Sequence, residues 1–372
     1  TFSANEKLNF GSQAFKDSKK LNEVVLPAAV KTFDPSALDG CGSIEKITVE
    51  AGNANFVSDQ YGILYTAGYT EVIFYPSTLD GDLTKLPWDK LTTIGANVFK
   101  NNTKITSVTV GANVTEIASA AFQGCTNLTE VKFAGTSYAN LVIGANAFNG
   151  CTKLAEIDLS KGVKEVGTAA FKGCSVMTKA VLPDTLTAIP ESMFENCRVL
   201  ATVNLPTALT TIGKNSFAST AIASVTIPNT VTSIADGAFR GCSKLTSLTF
   251  APGGEKALTI GTATTTYGVF ASSGLTGVVE LPERLTVLGG YTFASCAKLT
   301  EVKFAANSKV TAINNYTFQS SGITTIDLTG IETIGNYAFA SCAQLTSIVI
   351  PEGVTSIGTR AFQKSALASV SL

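Results

Sequence analysis

The sequence contains no histidine. That absence removes the commonest general base and the commonest metal-binding side chain together. Charge is scarce too: only 15 % of the 372 residues are Asp, Glu, Lys or Arg, and the formal net charge is −1. A nucleic-acid partner demands a basic face, so no nucleic acid is expected to bind. No apolar run approaches the roughly 20 residues that cross a bilayer, so no transmembrane segment is expected either. No secretory leader is visible, and because the chain opens on Thr1 rather than Met, a leader is expected to have been removed. Apolar residues make up 45 % of the chain, so material for a core is ample. Thr, Ser and Asn, rather than charges, must cover much of the surface.

Internal repetition organises the whole chain. A phenylalanine, usually in an "AF" pair, recurs at Phe15, Phe99, Phe122, Phe148, Phe171, Phe194, Phe217, Phe239, Phe270, Phe293, Phe318, Phe339 and Phe362, with Leu38 in the same slot after Phe15. The commonest spacing is 23 residues, as from Phe148 to Phe171 and on to Phe194. Around Phe239 the unit reads "VTSIADGAFRGCSKLTSLTF". Its Leu248 and Phe250, with one polar residue between them, alternate as a half-buried strand does. Pro27, Pro183, Pro206, Pro228, Pro282 and Pro351 directly follow this strand, where a residue without an N–H ends the pairing. The "xxAF" run is long enough for one helical or 3₁₀ turn and too short for an independent helix. Such a unit cannot bury its apolar face alone, but stacked copies make a continuous core and a long parallel sheet. The expected architecture is one solenoid over 1–372, of about fifteen coils. At roughly 4.8 Å per strand step it would be about 70 Å long. Two coils depart from the pattern: an irregular one at about 51–90, and an extended one at about 251–269 whose Gly/Thr-rich stretch reads as a flexible protrusion.

All eight cysteines, Cys41, Cys125, Cys151, Cys174, Cys197, Cys242, Cys296 and Cys342, lie three residues after an anchor. Elsewhere that slot holds Ser18, Asn102, Thr220 or Ser321. A disulfide framework would vary the positions, and a zinc site would need local CxxC or Cys/His pairs. A repeated slot instead predicts an inward row of small buried thiols.

The segment 334–362, "IGNYAFASCAQLTSIVIPEGVTSIGTRAF", resembles the BspA-type leucine-rich repeat, with AF, Cys, strand and Pro at the family offsets. The irregular coil, "NANFVSDQYGILYTAGYTEVIFYP" over 53–76, is similar to an insertion common in that family. The resemblance implies a right-handed leucine-rich-repeat coil of α/β type, mostly strand and turn. It also implies a secreted or surface-anchored bacterial protein used in adhesion to host proteins or to other cells.

No catalytic constellation is visible. Serines and acids have no His partner, and lysines such as Lys104, Lys153 and Lys244 fall on polar positions. No enzyme activity, metal or organic cofactor is expected. The outward strand positions, among them Thr106, Ser107 and Thr109, form a small, neutral face. Between residues 61 and 88 lie four of the nine tyrosines and the single tryptophan, the residue types that anchor protein interfaces. Tyr61, Tyr69 and Trp88 are flanked by polar or turn residues, so these three are the expected contacts for a protein ligand, such as a host matrix or surface protein. A rigid spacer or self-associating element is the alternative. A glycan-processing enzyme, which would need a deep acidic pocket, is a remote third.

Overall fold

The chain divides into two compact units, Thr1–Met177 and Thr178–Leu372. The computed structural model describes residues 10–371. Each unit is a parallel β-solenoid whose coils are joined by three ladders. In the first unit the long strand Ser107–Val110 pairs in parallel with Glu130–Phe133, with Val108 against Val131 and Val110 against Phe133. These four are buried while Ser107, Thr109, Glu130 and Lys132 face out, as the alternation predicts. In the second unit Ser224–Ile227 pairs with Ser247–Phe250 in the same way.

A second ladder is made of strands only two residues long. Thr93–Ile94, Glu116–Ile117, Val142–Ile143 and Glu165–Val166 run in register in the first unit. Ala188–Ile189, Thr211–Ile212 and Ser233–Ile234 do so in the second. The sequence pattern leads one to expect a single strand per coil. Two residues are too few to show alternation, so this strand looks like a lone apolar position.

The third ladder corrects the expected helical turn. Residues two before and two after most anchors are left-handed, as at Ala120 (φ 56°) and Gly124 (φ 72°) around Phe122. Right- and left-handed residues therefore alternate, and alternate N–H groups all point to the next coil. Ala120, Phe122 and Gly124 donate to the carbonyls of Ala145, Ala147 and Asn149, each at 2.8 Å. Tyr316, Phe318 and Ser320 reach Asn336, Ala338 and Ala340 at 2.8–2.9 Å. A helix would turn those donors back onto its own chain. Among the described residues no α-helix occurs, and 3₁₀ turns are confined to Pro35–Leu38, Ala67–Tyr69 and Leu83–Lys85. Only the first of these carries a residue in the anchor slot, Leu38.

Anchor rings stack along the core of each unit. Phe122 and Phe148 have centroids 5.2 Å apart with planes 3° off parallel. Phe148 and Phe171 follow at 5.4 Å. In the second unit Phe239, Phe270 and Phe293 continue the pattern at 5.5 and 5.8 Å.

The cysteines are buried and none is joined in a disulfide, as their slot predicts. They do more than fill space. Cys125 Sγ donates to the Phe99 carbonyl at 3.0 Å, Cys151 to Phe122 at 3.2 Å, and Cys342 to Phe318 at 3.0 Å. Burial pushes the Cys125 thiol up to about 12 and the Cys296 thiol up to about 11. Such thiols are neither nucleophiles nor metal ligands near neutral pH.

The extended coil also departs from expectation. Leu258–Ile260 is a strand, paired with Ser233–Ile234 on one side and Leu285–Leu288 on the other. Arg284, only 8 % exposed, holds the preceding loop through bonds from Nη1 to the carbonyls of Val231 and Lys256, and from Nη2 to Pro228 O at 3.3 Å. Part of the Gly/Thr stretch is therefore framework rather than a protrusion.

Candidate binding groove

The irregular coil is a three-stranded antiparallel meander, Phe56–Ser58, Leu64–Thr66 and Glu71–Phe74. Its third strand joins the short-strand ladder in parallel, Val72 against Ile94. The hairpin between its first two strands is fixed by Asp59, whose Oδ1 accepts the N–H groups of Tyr61 and Ile63 at 2.9 and 3.0 Å. Tyr65 is fully buried, and its hydroxyl donates to Asp59 Oδ2 at 3.1 Å. Burial first, and Asp59 second, push this phenol well above its ordinary range. Tyr75 is buried as well and packs edge-on against Phe99 at 5.2 Å. These two tyrosines are the miniature core of the coil.

After the meander the chain crosses onto the next coil. Asp82 caps the turn Leu83–Lys85 by accepting from Thr84 N at 3.0 Å and Thr84 Oγ1 at 2.6 Å. Lys85 Nζ bonds both oxygens of Asp80, at 2.9 and 2.7 Å. The Lys85 hydrogen bond holds Asp80 below the usual carboxylate range, and the Thr84 hydroxyl does the same for Asp82. Lys104 Nζ donates to the Thr78 carbonyl at 2.7 Å, which ties the crossing to the coil below. Trp88 is set by its indole N–H, which donates to Leu83 O at 2.8 Å. It lies against Gly111, where an added Cβ would sit 2.6 Å from the Trp88 carbonyl and 3.2 Å from its side chain. Only a residue without a side chain admits that approach.

The crossing overhangs the outer face of Ser107–Val110 and leaves an open groove of about 470 Å³. Asp80, Asp82 and Trp88 line one wall; Lys104, Thr106 and Thr109 line the other. A second depression shares Thr109 and Ala134 and carries the charges outward to Glu130, Lys132, Glu156, Asp158 and Lys161. The signs are mixed, and Lys132 pairs with Glu130 at 2.8 Å. Away from this overhang several exposed threonines use their hydroxyls internally. Thr115, Thr129, Thr246 and Thr324 each donate to a backbone carbonyl of the preceding coil at 2.9–3.3 Å.

Of the three expected contacts, the groove gathers one. Trp88 lines it. Tyr61 sits at the hairpin tip, 36 % exposed, with Lys85 Nζ 5.4 Å from its ring centroid. Tyr69 packs on Tyr65 at 5.1 Å, and Lys90 lies 5.1 Å over its ring. The chain's own cations thus attend both tyrosine rings, and neither residue lines the groove. Asp80, Asp82 and Lys104 were not singled out from sequence. The signal for the two aspartates is the "DGD" turn shortly before "LPW"; Lys104 has none. Among the described residues no group of three or more acidic or cysteine side chains is arranged to hold a metal ion. No helix among them is long and apolar enough to cross a membrane.

The fold defines a leucine-rich-repeat solenoid. The BspA type leucine rich repeat region matches residues 2–63, 82–139, 137–246 and 264–372, and the chain belongs to that family. The unmatched stretches, 64–81 and 247–263, fall in the meander and in the extended coil. A leucine rich cell surface protein of Faecalibacterium prausnitzii is 25 % identical, with 85 % of this chain and 92 % of that one covered and a TM-score of 0.51. A leucine-rich repeat protein of Bacteroides ovatus shares the fold at 22 % identity, with 83 % of each chain covered and a TM-score of 0.56. No curated protein matches the chain.

Proposed function

We propose that the chain is a non-catalytic protein-binding module of a bacterial cell surface, of adhesion type, whose ligand seats in the groove beside Trp88. The groove itself carries the reading. It puts the only tryptophan, half-buried and fixed at its indole N–H, beside carboxylates and a lysine of opposite sign. A rigid aromatic surrounded by polar groups is the composition of an interface anchor with its rim. The cell-surface relative from Faecalibacterium supports the location. The plain sheet offers small hydroxyls, several already bonded to carbonyls of the preceding coil, and little area to a partner.

The test uses the immobilised chain against purified extracellular-matrix and cell-surface proteins, followed by titration of any captured protein. Trp88→Ala should weaken binding by at least about 2 kcal/mol, roughly thirtyfold. Tyr69→Ala should stay within about 0.5 kcal/mol, since its ring faces its own coil. A captured protein that binds Trp88→Ala as well as the parent removes the groove from consideration. If no protein is captured, the rigid-spacer alternative stands.

A further inference from the structure

The anchor turns of the second unit carry a feature the first unit lacks. The left-handed position two before the anchor holds Gln13, Asn97, Ala120, Asn146 and Ala169 in the first unit, but Tyr291, Tyr316 and Tyr337 in three successive coils of the second, at φ 55–60°. A bulky residue there costs on the order of 1 kcal/mol or more, whereas Asn or Gly fits cheaply. The three rings stack at 4.4 and 4.9 Å, within 12° of parallel, and remain half-exposed. Stacking returns about as much as the strain removes, so net stability does not explain the choice.

Cations accompany the rings. Arg360, at the same position of the next coil, lies 5.8 Å over Tyr337 and donates from Nη1 to its hydroxyl at 2.6 Å. Tyr267, 47 % exposed, has Arg240 at 5.1 Å and Lys214 at 6.0 Å from its ring centroid. Arg240 Nε is buried without a partner. Between residues 214 and 364 the anchor turns hold four basic residues, counting Lys364, and one acid, Asp236. That carboxylate is already engaged by the N–H and hydroxyl of Thr262, at 2.8 and 3.0 Å.

We propose that this tyrosine and arginine row binds a linear anionic polysaccharide, one sugar per coil. The charge fixes the sign of the ligand. The geometry fixes its class. The ring faces cover one another, so the row presents phenol hydroxyls and ring edges, which suit sugar hydroxyls and deny bases the open faces they stack on. The step between rings is close to the rise of a pyranose in an extended chain. An extended peptide rises about 3.3 Å per residue and drifts out of step with the coils. Guanidinium groups then meet the carboxylates of the polymer.

The experiment titrates the full chain with polygalacturonate, with neutral dextran and with poly-L-glutamate. Polygalacturonate should bind, dextran should not, and poly-L-glutamate should bind about tenfold more weakly or less. The triple variant Tyr291→Asn, Tyr316→Asn, Tyr337→Asn should lose about tenfold or more in affinity. Its melting temperature should hold or rise, because Asn is at ease in the left-handed region. Should that variant misfold, Tyr316→Phe with Arg360→Gln keeps the stack and removes the polar groups, with the same loss expected. Trp88→Ala should bind the polymer unchanged, which separates this surface from the groove. The proposal fails if polygalacturonate does not bind, if poly-L-glutamate binds as tightly, or if the variants bind like the parent.

Discussion

Removal of one anchor ring tests the core directly. Phe148 is fully buried between Phe122 at 5.2 Å and Phe171 at 5.4 Å. Phe148→Ala removes the ring's transfer free energy and leaves a cavity, which together cost about 3–5 kcal/mol in ordinary cores. Two stacked ring pairs go with it, each contributing about 0.5–1.5 kcal/mol beyond burial. Collapse of the neighbours would soften the loss. Here Phe122 and Phe148 are held a coil apart by backbone bonds, Phe122 N to Ala147 O and Phe148 N to Ala170 O at 2.8 Å each. The rings cannot approach without breaking that ladder, so the cost belongs near the top, about 4–5 kcal/mol. Trp88 lies in the same unit, so its fluorescence reports the transition. With a urea slope of about 2 kcal/mol per molar, the midpoint should fall by about 2 M. Phe148→Leu should cost about 1–2 kcal/mol. A loss below about 2 kcal/mol for the alanine variant would show that the ladder yields and that the rigid-stack reasoning is wrong.

Three further outcomes follow from the same geometry. Cys151→Ala should cost about 1–2 kcal/mol and no more, because the Phe122 carbonyl keeps the Cys125 N–H at 3.1 Å; Cys151→Ser should cost less than about 1 kcal/mol in the same urea titration. The buried thiols should make the fold alkali-sensitive. Cys125 and Cys296 are raised from 9.0 to about 12 and about 11, so their contribution is complete below pH 9 and is lost as pH climbs toward those values. Each still-neutral thiol then lowers stability by about 1.4 kcal/mol per pH unit. Melting temperatures between pH 8 and 11 should fall, and less steeply in a Cys125→Ser variant; equal slopes would refute the assignment. Gly111→Ala should displace Trp88, shift its emission and destabilise by about 1–3 kcal/mol, whereas an unchanged spectrum would mean the contact is not formed.

The parts of the fold that sequence discloses are those with a fixed residue type at a fixed offset. The anchors, the cysteine slot and the long strands all meet that condition, because each is buried and each tolerates few side chains. The short strand does not: Thr93–Ile94 offers one buried position and no alternation. The left-handed turn positions do not either, since Asn97, Ala120, Ser192 and Tyr291 share one conformation while sharing no chemistry. The conformation there is imposed by the hydrogen bonds to the next coil, not by local propensity. Residue type singles out Trp88, and the structure sets it in the groove wall. Residue type points equally to Tyr61 and Tyr69, but their surroundings depend on a meander pairing and on Lys85 and Lys90, which composition does not reveal.

That distinction bears on where a repeat protein carries its particular surface. Buried slots repeat because the core permits nothing else, so they say little about a partner. Variation is left two places. One is an interruption, such as the meander and the crossing that set Trp88 over the sheet. The other is a position whose conformation the ladder guarantees whatever residue stands there, such as the one held by Tyr291, Tyr316 and Tyr337. At that position the backbone bonds Tyr291 N to Asn315 O and Tyr316 N to Asn336 O, at 3.0 and 2.9 Å, persist irrespective of the side chain. A substitution to Asn there changes the surface and leaves the scaffold intact, so a change in binding can be read without a change in folding.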